Sequence, residues 1–129
     1  DEVLYLDSAY ETTEGYLVKF TEFKFYITKL GSGSNVLCEA SLFDFNTPLN
    51  NSISTTGDVL NFSSLSGTIG VDSIENHSDP SAFENDSPLN IVNAGLMHWG
   101  WNPGYIFVNV IGKVETMASG FLFNHNFVF

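Results

Sequence analysis

Apolar residues recur at every second position along several stretches of this chain, the spacing of half-buried β-strands. Between Tyr16 and Leu30, Val18 and Phe20 share one parity, and Phe23, Phe25 and Ile27 share the other. The switch near Thr21 and Glu22 predicts a β-bulge or two strands meeting. Val36, Cys38, Ala40 and Leu42 alternate next, and Leu65, Gly67, Ile69 and Val71 form a further run ending at Asp72. Ile106, Val108, Val110 and Val114 alternate with Tyr105, Phe107 and Ile111 on the opposite parity, which predicts a central strand buried on both faces. The chain closes with Phe121, Phe123, Phe127 and Phe129 on one parity, and His125 lies on that same face.

Turn residues fall between these runs. GSGSN at 31–35 predicts a hairpin-like link, and the polar stretch 46–58 a surface loop. Residues 72–104 are a long excursion holding Pro80, Pro88, Pro103, both tryptophans and two of the three histidines. Connections of that length are functional or contain short structure of their own. Ser78 or Asp79 before Pro80 predicts a capped helical turn over Pro80 to Phe83.

Ser, Thr, Asn and Gly number 47 against five Ala, which disfavours long helices. The expectation is an all-β protein, an antiparallel β-sandwich with one long loop excursion, in a single domain spanning residues 1–129. Apolar residues make up 43% of the chain, including 12 Phe, so it folds around a core. Four Lys, no Arg and 15 acidic residues give a net charge of −11, which repels phosphate backbones and argues against nucleic acid as a partner. Cys38 is the one cysteine, so an intrachain disulfide is excluded, and its place in an alternating run predicts a small core residue. No apolar run approaches the roughly 18 residues of a membrane helix. The first segment lacks the basic start and apolar run of a signal peptide, so the protein is cytosolic or its targeting sequence has been removed.

Candidate chemistry gathers at histidine and tryptophan. On a phenylalanine-rich strand face, burial disfavours the charged imidazole, so His125 stays neutral with a lone pair free for copper or zinc, or else satisfied by a carbonyl. His98 in the excursion is a second candidate, its alternative being a surface loop histidine. The two are 27 positions apart, so only the fold brings them together at one ion. His77 reads as a solvated loop residue. Trp99 and Trp101 either plug the end of a sandwich or, exposed with Tyr105, form a stacking platform for sugar rings. Asp72, Glu75, Asp79, Glu84 and Asp86 offer oxygen ligands, but their spacing matches no calcium loop and reads better as a solvated acidic face.

Four segments, in order, carry a family likeness. They are Phe20-x-x-Phe23-x-Phe25-Tyr26-Ile27-Thr28-Lys29-Leu30, then GTIGVDSIEN from Gly67, MHWGWNPGYIFVNVIG from Met97, and GFLFNH from Gly120. With Trp99 and Trp101 followed by Gly104 and Tyr105 opening a strand, the chain resembles the MbnP-like family of secreted or lipid-anchored bacterial β-sandwich proteins, from Leu4 to Phe127. Members of that family usually begin with a full strand before the segment matching Leu4 to Tyr10 and continue past the histidine matching His125. The chain is therefore expected to be incomplete at both ends. The resemblance implies copper held by histidines and by a tryptophan oxidised to kynurenine by a separate haem enzyme. The oxidised residue here would be Trp99 or Trp101. It also implies export to the outer membrane or cell surface, with the periplasm as the alternative.

No G-x-S-x-G elbow, H-E-x-x-H helix or glycine-rich phosphate loop occurs, and a non-catalytic protein is expected. The leading expectation is an exported copper-binding protein. The alternative is a non-catalytic cell-surface accessory subunit, part of an outer-membrane or cell-surface complex, that binds a protein partner or glycan through its aromatic loop.

Overall fold

The computed structural model describes residues 3–56, 64–100, 102–115 and 121–128, with residue 49 and residues 121–128 as backbone only. Among these, six strands form one antiparallel sheet: β1 (Ala9–Glu11), β2 (Leu17–Ser32), β3 (Asn35–Asp44), β4 (Ser66–Ile69), β5 (Val108–Glu115) and β6 (Phe121–Val128). The antiparallel all-β expectation is met.

The sixteen-residue β2 organises the sheet. Lys19 has Ala9 of β1 on one side and Lys113 of β5 on the other. Thr28 lies between Ala40 of β3 and Thr68 of β4. The first half of β2 thus carries β1 and β5, and the second half β3 and β4. β6 pairs only with β5 among the described residues, which makes β5 central as its two-sided pattern predicted. A two-residue turn at Gly33 and Ser34 joins β2 to β3, with Gly33 at φ 60° where glycine has no steric penalty.

The parity switch in β2 is a bulge. The β2–β5 register jumps between Phe20 and Glu22, leaving Thr21 as the extra residue. Asn46 Nδ2 donates to the Thr21 carbonyl at 2.8 Å, and the Thr21 hydroxyl donates to Ile111 O at 3.3 Å. One inserted residue flips every later side chain to the other face. Val18 and Phe20 therefore share a face with Phe23 and Phe25, opposite Val114, Gly112, Val110 and Val108 in turn. On that face Phe23 stacks on Phe45 at 5.2 Å and Phe25 on Phe43 at 4.9 Å.

The opposite face holds the core. Tyr26 and Thr28 are fully buried there, under Val71, Leu89, Ala94, Met97, Tyr105 and Ile106. Apart from Tyr26, every buried apolar residue of this core comes from the excursion or from its junctions with β4 and β5. The excursion is therefore a packed layer of the molecule rather than a surface loop. It is built from α1 (Ser73–Asn76), a 3-10 turn at Pro80–Ala82, α2 (Ile91–Ala94) and a 3-10 turn at Gly95–Met97. Asp79 caps the Pro80 turn as expected, its Oδ1 accepting from Ser81 N at 2.9 Å. Two sequence expectations change. Ile69 on β4 is exposed, because β4 lies on an edge, and Cys38 is half-buried with its thiol on Ala40 O at 3.3 Å. No described helix is long and apolar enough to cross a membrane.

Tyr26 joins the two layers, so Tyr26→Ala should cost about 3–5 kcal/mol in urea unfolding. Tyr26→Phe, which removes only the hydroxyl, should cost about 1 kcal/mol. Equal losses in the two variants would show that ring packing is not what anchors the excursion.

Candidate functional site

The excursion is fixed to β2 by groups at both of its ends. At its start, Asp72 Oδ1 caps α1 by accepting from Ile74 N at 3.0 Å and Glu75 N at 3.1 Å. Asp72 also pairs with Lys29, which holds its carboxyl below the usual range and the Lys29 ammonium above its own. In the middle, Asn90 Oδ1 caps α2 at Val92 N, 3.0 Å, while its amide donates to Phe83 O at 2.9 Å. At its end, Tyr105 sets its hydroxyl on Leu89 O and its ring edge-on to Tyr26 at 5.6 Å. The Tyr26 hydroxyl donates to Pro88 O at 3.2 Å.

The Gly104-Tyr105 pair has a mechanical reason. Tyr105 N donates to Asn76 Oδ1 at 2.7 Å, so the end of the excursion lies directly on α1. Gly104 has φ 73°, and a Cβ there would sit 2.4 Å from Asn76 Oδ1. Only glycine meets both demands.

The predicted site residues separate into different environments. Trp99 is 61% exposed, so it does not plug the sheet. Its main-chain N–H donates to Gly104 O at 2.9 Å, and Gly104 N donates to Gly100 O at 2.9 Å, so Gly104 returns to the chain at Trp99 and Gly100. Trp101 lies outside the described residues. Tyr105 is 5% exposed, so the expected platform of Trp99, Trp101 and Tyr105 is corrected. Its ring fills the core, and its hydroxyl belongs to the main chain of the excursion. His98 bridges to Tyr105 as a half-buried residue, its ring edge-on to that tyrosine at 4.7 Å. Gly100 N–H donates to His98 Nδ1 at 3.2 Å, so the neutral ring carries its proton on Nε2. His77 is exposed as expected, with Nδ1 2.8 Å from Ser73 O.

The register does not bring His98 and His125 together. His125 is the partner of Gly112, which faces Phe20 on the phenylalanine side of the sheet. His98 is the partner of Tyr105, which packs on Tyr26 from the other side. Phe107 aligns with Tyr26, and Gly112 lies five residues further along, about 16 Å at strand rise. Tyr105 lies two residues back in the opposite direction. The two backbones are thus on the order of 20 Å apart. Among the described residues, no group of three His, Cys, Asp or Glu side chains is arranged to hold a metal. Asp72 and Asp79 are occupied as helix caps rather than as parts of an ion site.

Several of these anchors had visible signals. Asp72 followed three residues later by Glu75 has the spacing of a capping box, and Asn90 precedes an apolar pair at a helix start. The Asn76 contact with Tyr105 spans 29 positions and has no local signature.

Fold and site together define a small antiparallel β-domain whose histidine- and tryptophan-bearing crossover is packed as a structural layer. The chain belongs to the MbnP family, whose match spans residues 1–128. No curated protein and no solved structure matches it. The family associates the chain with copper at family level.

Burial pushes the Tyr105 hydroxyl up from 10.0 to about 12, with Glu75 and Asp79 adding to the rise. The folded state thus favours the neutral phenol. Its contribution is complete below pH 10 and is lost as pH rises toward 12. Thermal melts of the wild type should fall across that window, and those of Tyr105→Phe should fall less steeply. Gly104→Ala should destabilise by about 2–3 kcal/mol. An unchanged melting temperature in that variant would contradict the Asn76 contact.

Proposed function

We propose that the protein is an exported, non-catalytic copper-binding protein of the bacterial outer membrane or cell surface. Membership of the MbnP family carries this reading, together with the exposure of Trp99 beside the half-buried His98. In this reading copper enters beside His98, bound by that residue and by the carbonyl of a kynurenine formed at Trp99 or Trp101. Neutral imidazole suits copper, and the new carbonyl adds an oxygen donor absent from indole. The backbone of His125 lies too far along the sheet to share that ion, so the variants below separate the two histidines. Ligation through either nitrogen of His98 ends the present Gly100 bond, because Nδ1 must then bind the metal or carry the proton.

Copper analysis of protein isolated from its host should give close to one equivalent, lost in the His98→Ala, His125→Ala double variant. Titration with copper should shift the Gly100 amide resonance in the wild type and in His125→Ala, but not in His98→Ala. Full copper retention by the double variant would end this reading.

One observation favours the accessory-subunit reading. Ile91, Val92, Leu96 and Trp99 expose apolar side chains within one short stretch, Leu96 at 90% and Val92 at 83%. With Tyr105 buried, that crest suits a protein partner better than a glycan. A complex disrupted by Leu96→Ser with copper content unchanged would support it.

A further inference from the structure

The outer edge of β3 and the wall of the excursion facing it form a groove that neither the copper reading nor the exposed apolar stretch from Ile91 to Trp99 uses. Phe45 N–H donates inward to Phe23 O, and the pairs Phe25 with Phe43 and Ile27 with Ser41 continue that series. Tyr26 directs its own main chain to the other edge of β2, its N–H to Phe107 O and its carbonyl to Gly70 N. Antiparallel alternation therefore turns the main-chain groups of its partner Leu42, and likewise of Ala40, away from the sheet. β3 pairs with β2 alone among the described residues, and the Ala40 carbonyl meets only the Cys38 thiol there.

Two cavities lie along this edge, one of about 420 Å³ and one of about 330 Å³, and both are lined by Ala40, Asp86 and Pro88. The larger also touches Leu42, and the smaller is lined by Glu39, Glu75 and Glu84. No lysine lines either of them. Glu75 Oε2 is buried with no hydrogen-bond partner, an acceptor in need of a donor. The chain itself carries a net charge of −11, so a second copy would bring like charge to the same place.

We propose that this groove takes an extended polypeptide segment of a partner protein, which adds as a strand to β3 at Ala40 and Leu42. A lysine or arginine of that segment enters the acidic cavity beside Glu75 and Glu84. Strand addition supplies main-chain hydrogen bonds, and the cavity supplies selectivity for a cation at one position.

The test uses labelled peptides alternating Thr and Val, with Lys, Gln or Glu at the centre, followed by fluorescence anisotropy against the full chain. The Lys peptide should bind saturably, about tenfold more tightly than the Gln peptide, and the Glu peptide should not bind. Glu75→Gln with Glu84→Gln should remove the preference for Lys while leaving the Gln peptide unaffected. Leu42→Pro removes an outward amide that the fold does not use, and should abolish binding of every peptide with the circular dichroism spectrum retained. Absence of saturable binding by the Lys peptide would overturn the proposal. So would equal binding of the Lys and Glu peptides, or a dimer of the chain that competes with the peptide.

Discussion

The molecule depends on one side chain having no freedom left. Tyr26 sits midway along a strand that is paired on both edges, and its main chain is committed to Phe107 and Gly70. Its ring meets Tyr105, and its hydroxyl meets the carbonyl of Pro88. A buried phenol must find an acceptor, and the acceptor here belongs to the excursion. The excursion is thereby fixed to one face of the sheet, and the phenylalanine face is left to Val18, Phe20, Phe23, Phe25 and their β5 partners.

That division bears on the proposed copper site. The tryptophan-bearing turn belongs to the Tyr26 side through the bridge of His98 to Tyr105, whereas the register assigns His125 to the Phe20 side. The proposed copper site at the turn would consequently be local, drawing on His98 and not on His125. The Gly100 amide on His98 Nδ1 occupies that nitrogen, so the proposed ligation would require this bond to break.

Much of the sheet was legible because period-2 alternation responds to a local cause, the burial of one strand face. The Thr21 bulge was visible as a change of parity, and the Pro80 turn as proline following a capping residue. The excursion was harder to read. Its polar, proline-rich composition looks like a surface loop, yet Leu89, Ala94, Met97 and Tyr105 are spaced to meet Tyr26, which lies more than sixty positions earlier. Tyr105 looked available because an aromatic beside tryptophan resembles a platform. Its burial follows from the contact of Asn76 with its amide, which no local pattern signals. The relative position of the two histidines was hard to read for a similar reason, since strand register, not sequence distance, decides where each backbone lies.

The separation of the two histidines is the claim most directly open to measurement. Spin labels at positions 98 and 125, in a Cys38→Ser background without metal, report the distance between the two backbones. The strand register predicts a distance on the order of 20 Å or more. A distance under about 10 Å would place both residues at one site and contradict the division of the molecule into two faces.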